Sequence, residues 1–176
     1  MIVRAITAVL VALTLSAPAL AELEVGETAT NFVVAGYQGG EPVSFTLSDA
    51  LNDGPVVVFF FPAAFTSGCE AQAASFAQSI DEFEALGAQV IGATAGNTDR
   101  LAEFSTQHCA SAFPVFALSG GMMSDYDVRI APLVGRTSRT TYVIDQNSII
   151  QMSWKDLGPY EHVDRSLAAL REMAGD

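Results

Sequence analysis

The stretch Val56-Val57-Val58-Phe59-Phe60-Phe61-Pro62-Ala63-Ala64-Phe65-Thr66-Ser67-Gly68-Cys69 decides how this chain reads. Six consecutive β-branched and aromatic residues predict a strand buried on both faces, and Pro62 ends the run. The residues after Cys69 carry helical periodicity, so its thiol belongs to the start of a helix. Helix-start amides have no partner within the helix, and their partial positive charge favours a thiolate. Packing is the other explanation for Cys69, because free cysteine is among the most buried residue types. A packing cysteine belongs within residues 56–61, whereas Cys69 follows a Pro/Thr/Ser/Gly turn and precedes Glu70 and Gln72. That is a helix-entry environment.

Working outward, strands and helices alternate. A helix from about Cys69 sets Phe76, Ile80 and Phe83 on one face and ends at Gly87. Residues 88–94 predict a strand, Thr98-Asp99 the cap of a second helix with Leu101 and Phe104 inward, and residues 113–118 another strand. Such alternation implies a parallel or mixed sheet with helices against it. Residues 139–145 and 149–152 flank a Gln146-Asn147-Ser148 turn as a hairpin, and a last helix buries Val163, Leu167 and Leu170. Upstream, residues 32–34 and 43–47 form an opening hairpin around Gly36 and Gly39-Gly40, with Ser48-Asp49 capping a short helical turn. No repeat or linker divides the chain.

The first 21 residues read as a secretory signal peptide: Arg4 in a short basic start, an apolar run over residues 5–15, and Ala19-Leu20-Ala21 as a small-x-small cleavage site before Glu22. The alternative is an uncleaved anchor, but the run is short for a bilayer and the sequence turns abruptly acidic at Glu22. Residues 22–176 then form one domain, and in a bacterium the product is periplasmic or secreted, with no membrane association after cleavage. The formal charge of −12 becomes −13 when Arg4 is removed, and the basic residues form no run or stripe, which argues against nucleic acid as a partner. Two cysteines in an oxidising compartment allow one disulfide. With His108 and His162 as the only histidines and no closely spaced cysteines, a metal or haem cofactor has little to be built from, and none is expected.

The spacing Pro62, Thr66, Cys69 resembles the Pro-x-x-x-Thr-x-x-Cys motif of the peroxiredoxins. The words around it look most like the bacterioferritin-comigratory or Q-type branch of that family. The resemblance runs over about residues 25–170 and implies an α/β, thioredoxin-like fold: a mixed central sheet flanked by helices, with an N-terminal β-hairpin. It also implies a thiol-dependent peroxidase acting on hydrogen peroxide or organic hydroperoxides and recycled by a thioredoxin-like or other dithiol reductant. Cys69 is then the nucleophile. Thr66 can hydrogen-bond peroxide or sulfur, and Pro62 shields the thiolate from water. Arg139 opens Arg-Thr-Thr-Tyr-Val-Ile-Asp, similar to the family's Arg-x-Thr-Phe-Val-Ile-Asp segment, and the family's active-site arginine maps onto it. A planar, permanently charged fork there favours the thiolate and donates to peroxide oxygen. Without the resemblance, Arg139 reads as a solvated surface arginine. Arg136 competes, but its flanks read as loop. Gln72, three residues after the nucleophile, supports the arginine or faces solvent, and stays outside the catalytic set.

Close members of the branch carry a second cysteine five residues after the first; here that position is Ala74, which removes the local disulfide. Cys109, forty residues after Cys69, takes the place that some members give to a resolving cysteine on the second helix. It is either that resolving thiol or an ordinary buried one in a one-cysteine enzyme. The assembly is a monomer or homodimer. The competing function is a thioredoxin-fold binding or chaperone module in which Cys69 is vestigial or statically paired.

Overall fold

The computed structural model describes residues 22–130 and 135–175. The predicted signal peptide lies outside the described residues. Seven strands form one mixed sheet in the order β2-β1-β5-β4-β3-β6-β7. These are β1 (Val33–Gln38), β2 (Glu41–Thr46), β3 (Val56–Phe60), β4 (Gln89–Thr94), β5 (Val115–Ala117), β6 (Thr140–Ile144) and β7 (Ile150–Lys155). β3 runs parallel to β4, and β4 to β5, while β1-β2 and β6-β7 are antiparallel hairpins at the two ends. This is the mixed sheet with an N-terminal hairpin that the sequence predicts.

The apolar run of β3 explains the layering. Every residue from Val56 to Phe60 is fully buried. Side chains alternate across a strand, so Val57, Phe59 and Phe61 enter one core while Val56, Val58 and Phe60 enter the other. The first core is closed by α2 (Ser67–Gln78), α3 (Ile80–Ala85), α4 (Leu101–Gln107) and α6 (Glu161–Ala174). The second is closed by α1 (Leu47–Ala50) and α5 (Gly120–Asp125). Phe59 stacks on Phe76 at 4.3 Å between ring centroids and meets Phe113 edge-on at 5.4 Å. A Cβ on Gly92 would lie 2.7 Å from the Phe59 ring, which accounts for a glycine in mid-strand. Phe59→Ala is therefore expected to cost about 3–5 kcal/mol, read from the shift in a denaturant-unfolding midpoint.

The structure departs from the sequence reading at several elements, among them α5, which that reading lacked. The single helix expected from Cys69 to Gly87 is two, broken at Ser79 (φ −102°, ψ 8°). Serine offers the backbone a non-helical alternative, and Asp81 and Glu82 complement a new helix N-terminus there. Thr98 and Asp99 do not cap the second helix; they lie in a 3₁₀ turn preceded by Asn97 in the left-handed region. Ser48 and Asp49 likewise sit inside α1, not before it. Phe76, Phe83, Leu101, Phe104, Val163, Leu167 and Leu170 are all buried, as expected.

Candidate active site

The carboxyl end of β3 delivers the chain into the site. Phe61 still donates to the Ala93 carbonyl, and its own carbonyl accepts from the buried Thr137 hydroxyl at 2.6 Å. Past Pro62 the loop is tied to the end of β4: Ala64 N–H donates to the Gly96 carbonyl, and Asn97 Nδ2 donates to the Ala64 carbonyl at 2.7 Å. Gly96 has to be glycine, because a Cβ would lie 2.5 Å from both Ala63 Cβ and the Pro62 carbonyl. Phe65 turns the chain with φ +57°, uncommon for an aromatic residue. Its ring lies under the Arg100 guanidinium, 3.9 Å from the centroid, and edge-on to Phe104 and His108.

Helix α2 then begins with Thr66 in the N-cap position and Cys69 at its third residue. The Thr66 hydroxyl donates to the Ala63 carbonyl at 3.1 Å, not to the sulfur, and keeps acceptor capacity free. Cys69 is 1% exposed.

Arg139 comes to the sulfur from the neighbouring chain segment, one residue before β6, which pairs with β3 through Phe60 and Thr140. It is only 7% exposed, so it is not the solvated surface arginine that its residue type alone allowed. Its Nη2 donates to Cys69 Sγ at 3.7 Å. Nη1 donates to the Gly68 carbonyl at 3.1 Å and to Gln72 Oε1 at 2.6 Å, and Nε donates to the Leu157 carbonyl at 3.1 Å. One guanidinium thus braces the start of α2 against β6 and the turn after β7. Gly68 leaves room for it: a Cβ there would lie 2.9 Å from Nη2. Gln72, left outside the catalytic set on sequence grounds, is fully buried and holds the arginine. The signal was available in the spacing, since residues three apart share a helix face. Its Nε2 has no partner among the described residues. Arg136 is exposed, in keeping with its loop flanks.

A cleft of about 540 Å³ opens beside this group, lined by Pro62, Ile130, Ser138, Arg139 and Leu157 among others. Of the predicted residues, Pro62 and Arg139 line this cleft; Thr66 is partly exposed outside its lining, and Cys69 and Cys109 are buried. A second hollow, about 360 Å³ between the opening hairpin and α3, is lined by neither cysteine and by no titratable side chain except Glu84.

Cys109 lies two residues beyond α4, fully buried, in the same core as Cys69. Both thiols are free. Burial pushes the Cys109 thiol well above the usual thiol range, so in this conformation it is a poor nucleophile. His108 does not serve it; the imidazole faces Glu70 at 3.5 Å and packs with Phe65 and Phe104. Among the described residues there is no group of three or more His, Cys, Asp or Glu placed to hold a metal. No helix among them is long and apolar enough to cross a membrane.

The family model described as the AhpC/TSA family matches residues 25–153, most of the chain. The chain belongs to the AhpC/TSA family. Its relatives place it in the Q-type, bacterioferritin-comigratory branch of the peroxiredoxins. It is 30% identical over 151 residues to the chloroplastic peroxiredoxin Q of Suaeda salsa, covering 77% of this chain and 68% of that one. A putative peroxiredoxin of Mycobacterium tuberculosis is 30% identical over 156 residues, covering 86% and 98%. Among solved structures, peroxidoxin BcpB from Mycobacterium tuberculosis superposes with a TM-score of 0.75 at 30% identity, covering 86% of this chain and 98% of that chain. The peroxiredoxin is accordingly a thiol-dependent peroxidase of the thioredoxin-dependent type, with a thioredoxin-like fold, and the binding or chaperone module is not favoured.

Proposed function

We propose that Cys69 is the peroxidatic nucleophile and that Arg139, Thr66 and Pro62 complete its site. The observation that carries this reading is the Nη2 to Sγ approach of 3.7 Å by a buried, fully braced guanidinium. The thiolate attacks one peroxide oxygen, an S–O bond forms as the O–O bond breaks, and the departing hydroxide or alkoxide takes up a proton. Cys69 is left as sulfenic acid. Charge moves from sulfur to the leaving oxygen during the step, and Arg139 donates into that path while the Thr66 hydroxyl orients the peroxide. Pro62, at the cleft, limits water at the sulfur. With dithiothreitol as sole reductant, purified protein is expected to consume many equivalents of peroxide; consumption that stops at or below one equivalent overturns the reading.

Cys109 is proposed as the resolving thiol. Its sulfur displaces hydroxyl from the sulfenic acid, water leaves, and a disulfide forms that a thioredoxin-like or other dithiol protein then reduces. A disulfide needs Cα atoms within about 7 Å, and both thiols are buried and unbonded, so forming it calls on local opening at the start of α2 or in the segment after α4. Ala110 and Ser111, both at positive φ (47° and 61°), make that segment a strained exit. After one equivalent of peroxide, mass spectrometry is expected to find a loss of about 2 Da and a Cys69–Cys109 cross-linked peptide. Stable sulfenic or sulfinic acid at Cys69 with Cys109 free makes this a one-cysteine enzyme.

Export is likewise proposed: residues 1–21 are removed and the mature protein acts in the periplasm or outside the cell, as a monomer or homodimer, without nucleic acid or membrane partners. N-terminal sequencing of the mature protein should begin at Glu22, and a retained Met1 overturns it.

A further inference from the structure

We propose that His162 is a positioning residue for peroxide reduction: as a neutral imidazole protonated on Nε2, it fixes the turn whose Leu157 carbonyl holds Arg139. The proposal rests on the peroxidase reading above. His162 is the second residue of α6 and is fully buried. Its Nε2 lies 3.2 Å from the Asp156 carbonyl and its Nδ1 lies 2.9 Å from the Thr141 hydroxyl. A carbonyl only accepts, so Nε2 carries the proton; Nδ1 then accepts from Thr141, and both ring nitrogens are satisfied without a charge. Burial, reinforced by the nearby Arg139 charge, holds the imidazole below its ordinary titration range, in keeping with the neutral form.

The turn has little else to hold it in place. The Leu157 side chain is 86% exposed and belongs to neither core. The N-cap of α6, Tyr160, makes no side-chain cap bond. What remains is polar: Asp156 N–H to the Arg139 carbonyl at 3.3 Å, Gly158 N–H to Asp156 Oδ1 at 2.6 Å, and His162 reaching back from the helix. Through the next residue's carbonyl this line ends at Arg139 Nε, and the same planar group presents Nη2 to Cys69. Because the guanidinium is rigid, a shift at Nε is a shift at Nη2.

The test compares His162→Leu with His162→Gln, whose amide N–H and carbonyl can replace the donor and acceptor. Site-resolved iodoacetamide labelling of Cys69 at pH 6 and kcat/KM for peroxide are both expected to fall about tenfold in His162→Leu and to return to within about threefold of wild type in His162→Gln. Imidazole ¹⁵N spectra of the wild type, which need no variant to fold, are expected to show the Nε2–H form. Wild-type labelling of Cys69 in a folded His162→Leu overturns the proposal, as does a glutamine variant no better than leucine, or the Nδ1–H tautomer. A wild type that labels readily at Cys69 but consumes no peroxide overturns the peroxidase reading instead.

Discussion

Cys69→Ser is expected to reduce peroxide turnover to the uncatalysed background while the protein melts close to wild type. A serine hydroxyl fills the same buried position and can still accept from Arg139 Nη2, so the brace formed by Gly68, Gln72 and Leu157 stays intact. What it cannot supply is the anion: an alcohol ionises many units above a thiol and is a weak nucleophile without a base beside it. The described surroundings offer no such base, since the only group donating to the Cys69 side chain is a guanidinium. Peroxide loss followed with dithiothreitol, on metal-free protein, is the measurement. Turnover above a few per cent of wild type would place the chemistry elsewhere.

Arg139→Lys is expected to lower the rate of peroxide reduction by about tenfold or more, or about 1.4 kcal/mol of transition-state stabilisation per tenfold. Charge is conserved in this change and shape is not. The arginine reaches four acceptors in three directions from one rigid plane: the Leu157 carbonyl, the Gly68 carbonyl, Gln72 Oε1 and Cys69 Sγ. An ammonium has three donors on a single atom and leaves at least one of these unmet. The thiolate retains a nearby cation, so labelling of Cys69 should suffer less than peroxide reduction. That split is the signature to look for in stopped-flow peroxide consumption against iodoacetamide labelling. Equal wild-type rates in both assays would make Arg139 a structural residue only.

Local pattern made much of the fold legible. Residues 56–61 announced a central strand because nothing else explains six large apolar residues between two turns, and alternating elements after it implied a mixed sheet. The Ser79 break was hidden because Phe76 and Phe83 keep helical spacing across it, so the apolar pattern alone does not register a one-residue change of axis. α5 was missed because Gly120-Gly121 look like loop; the Ser119 hydroxyl capping Met122 N–H was the available clue. At the site, the loop from Pro62 to Cys69 was readable because it is contiguous. Arg139 was reached only through family resemblance, since its bonds to Gly68 and Leu157 join residues 71 and 18 positions away. Gln72 was undervalued for a related reason: a helix face is only as polar or apolar as what packs on it, and here that was an arginine from the segment leading into β6.

The near-complete burial of Cys69 has a kinetic meaning wherever the protein meets other disulfides. Thiol–disulfide exchange requires the thiolate to approach a disulfide along the S–S axis, which demands open space for two bulky sulfur substituents. A buried sulfur held against Arg139 Nη2 has no such space, whereas a two-oxygen molecule needs only a narrow passage. On the proposed mechanism the folded site is thus a size filter: it keeps bulky disulfides from the Cys69 sulfur, and a protein thiol reaches that sulfur only when the start of α2 opens.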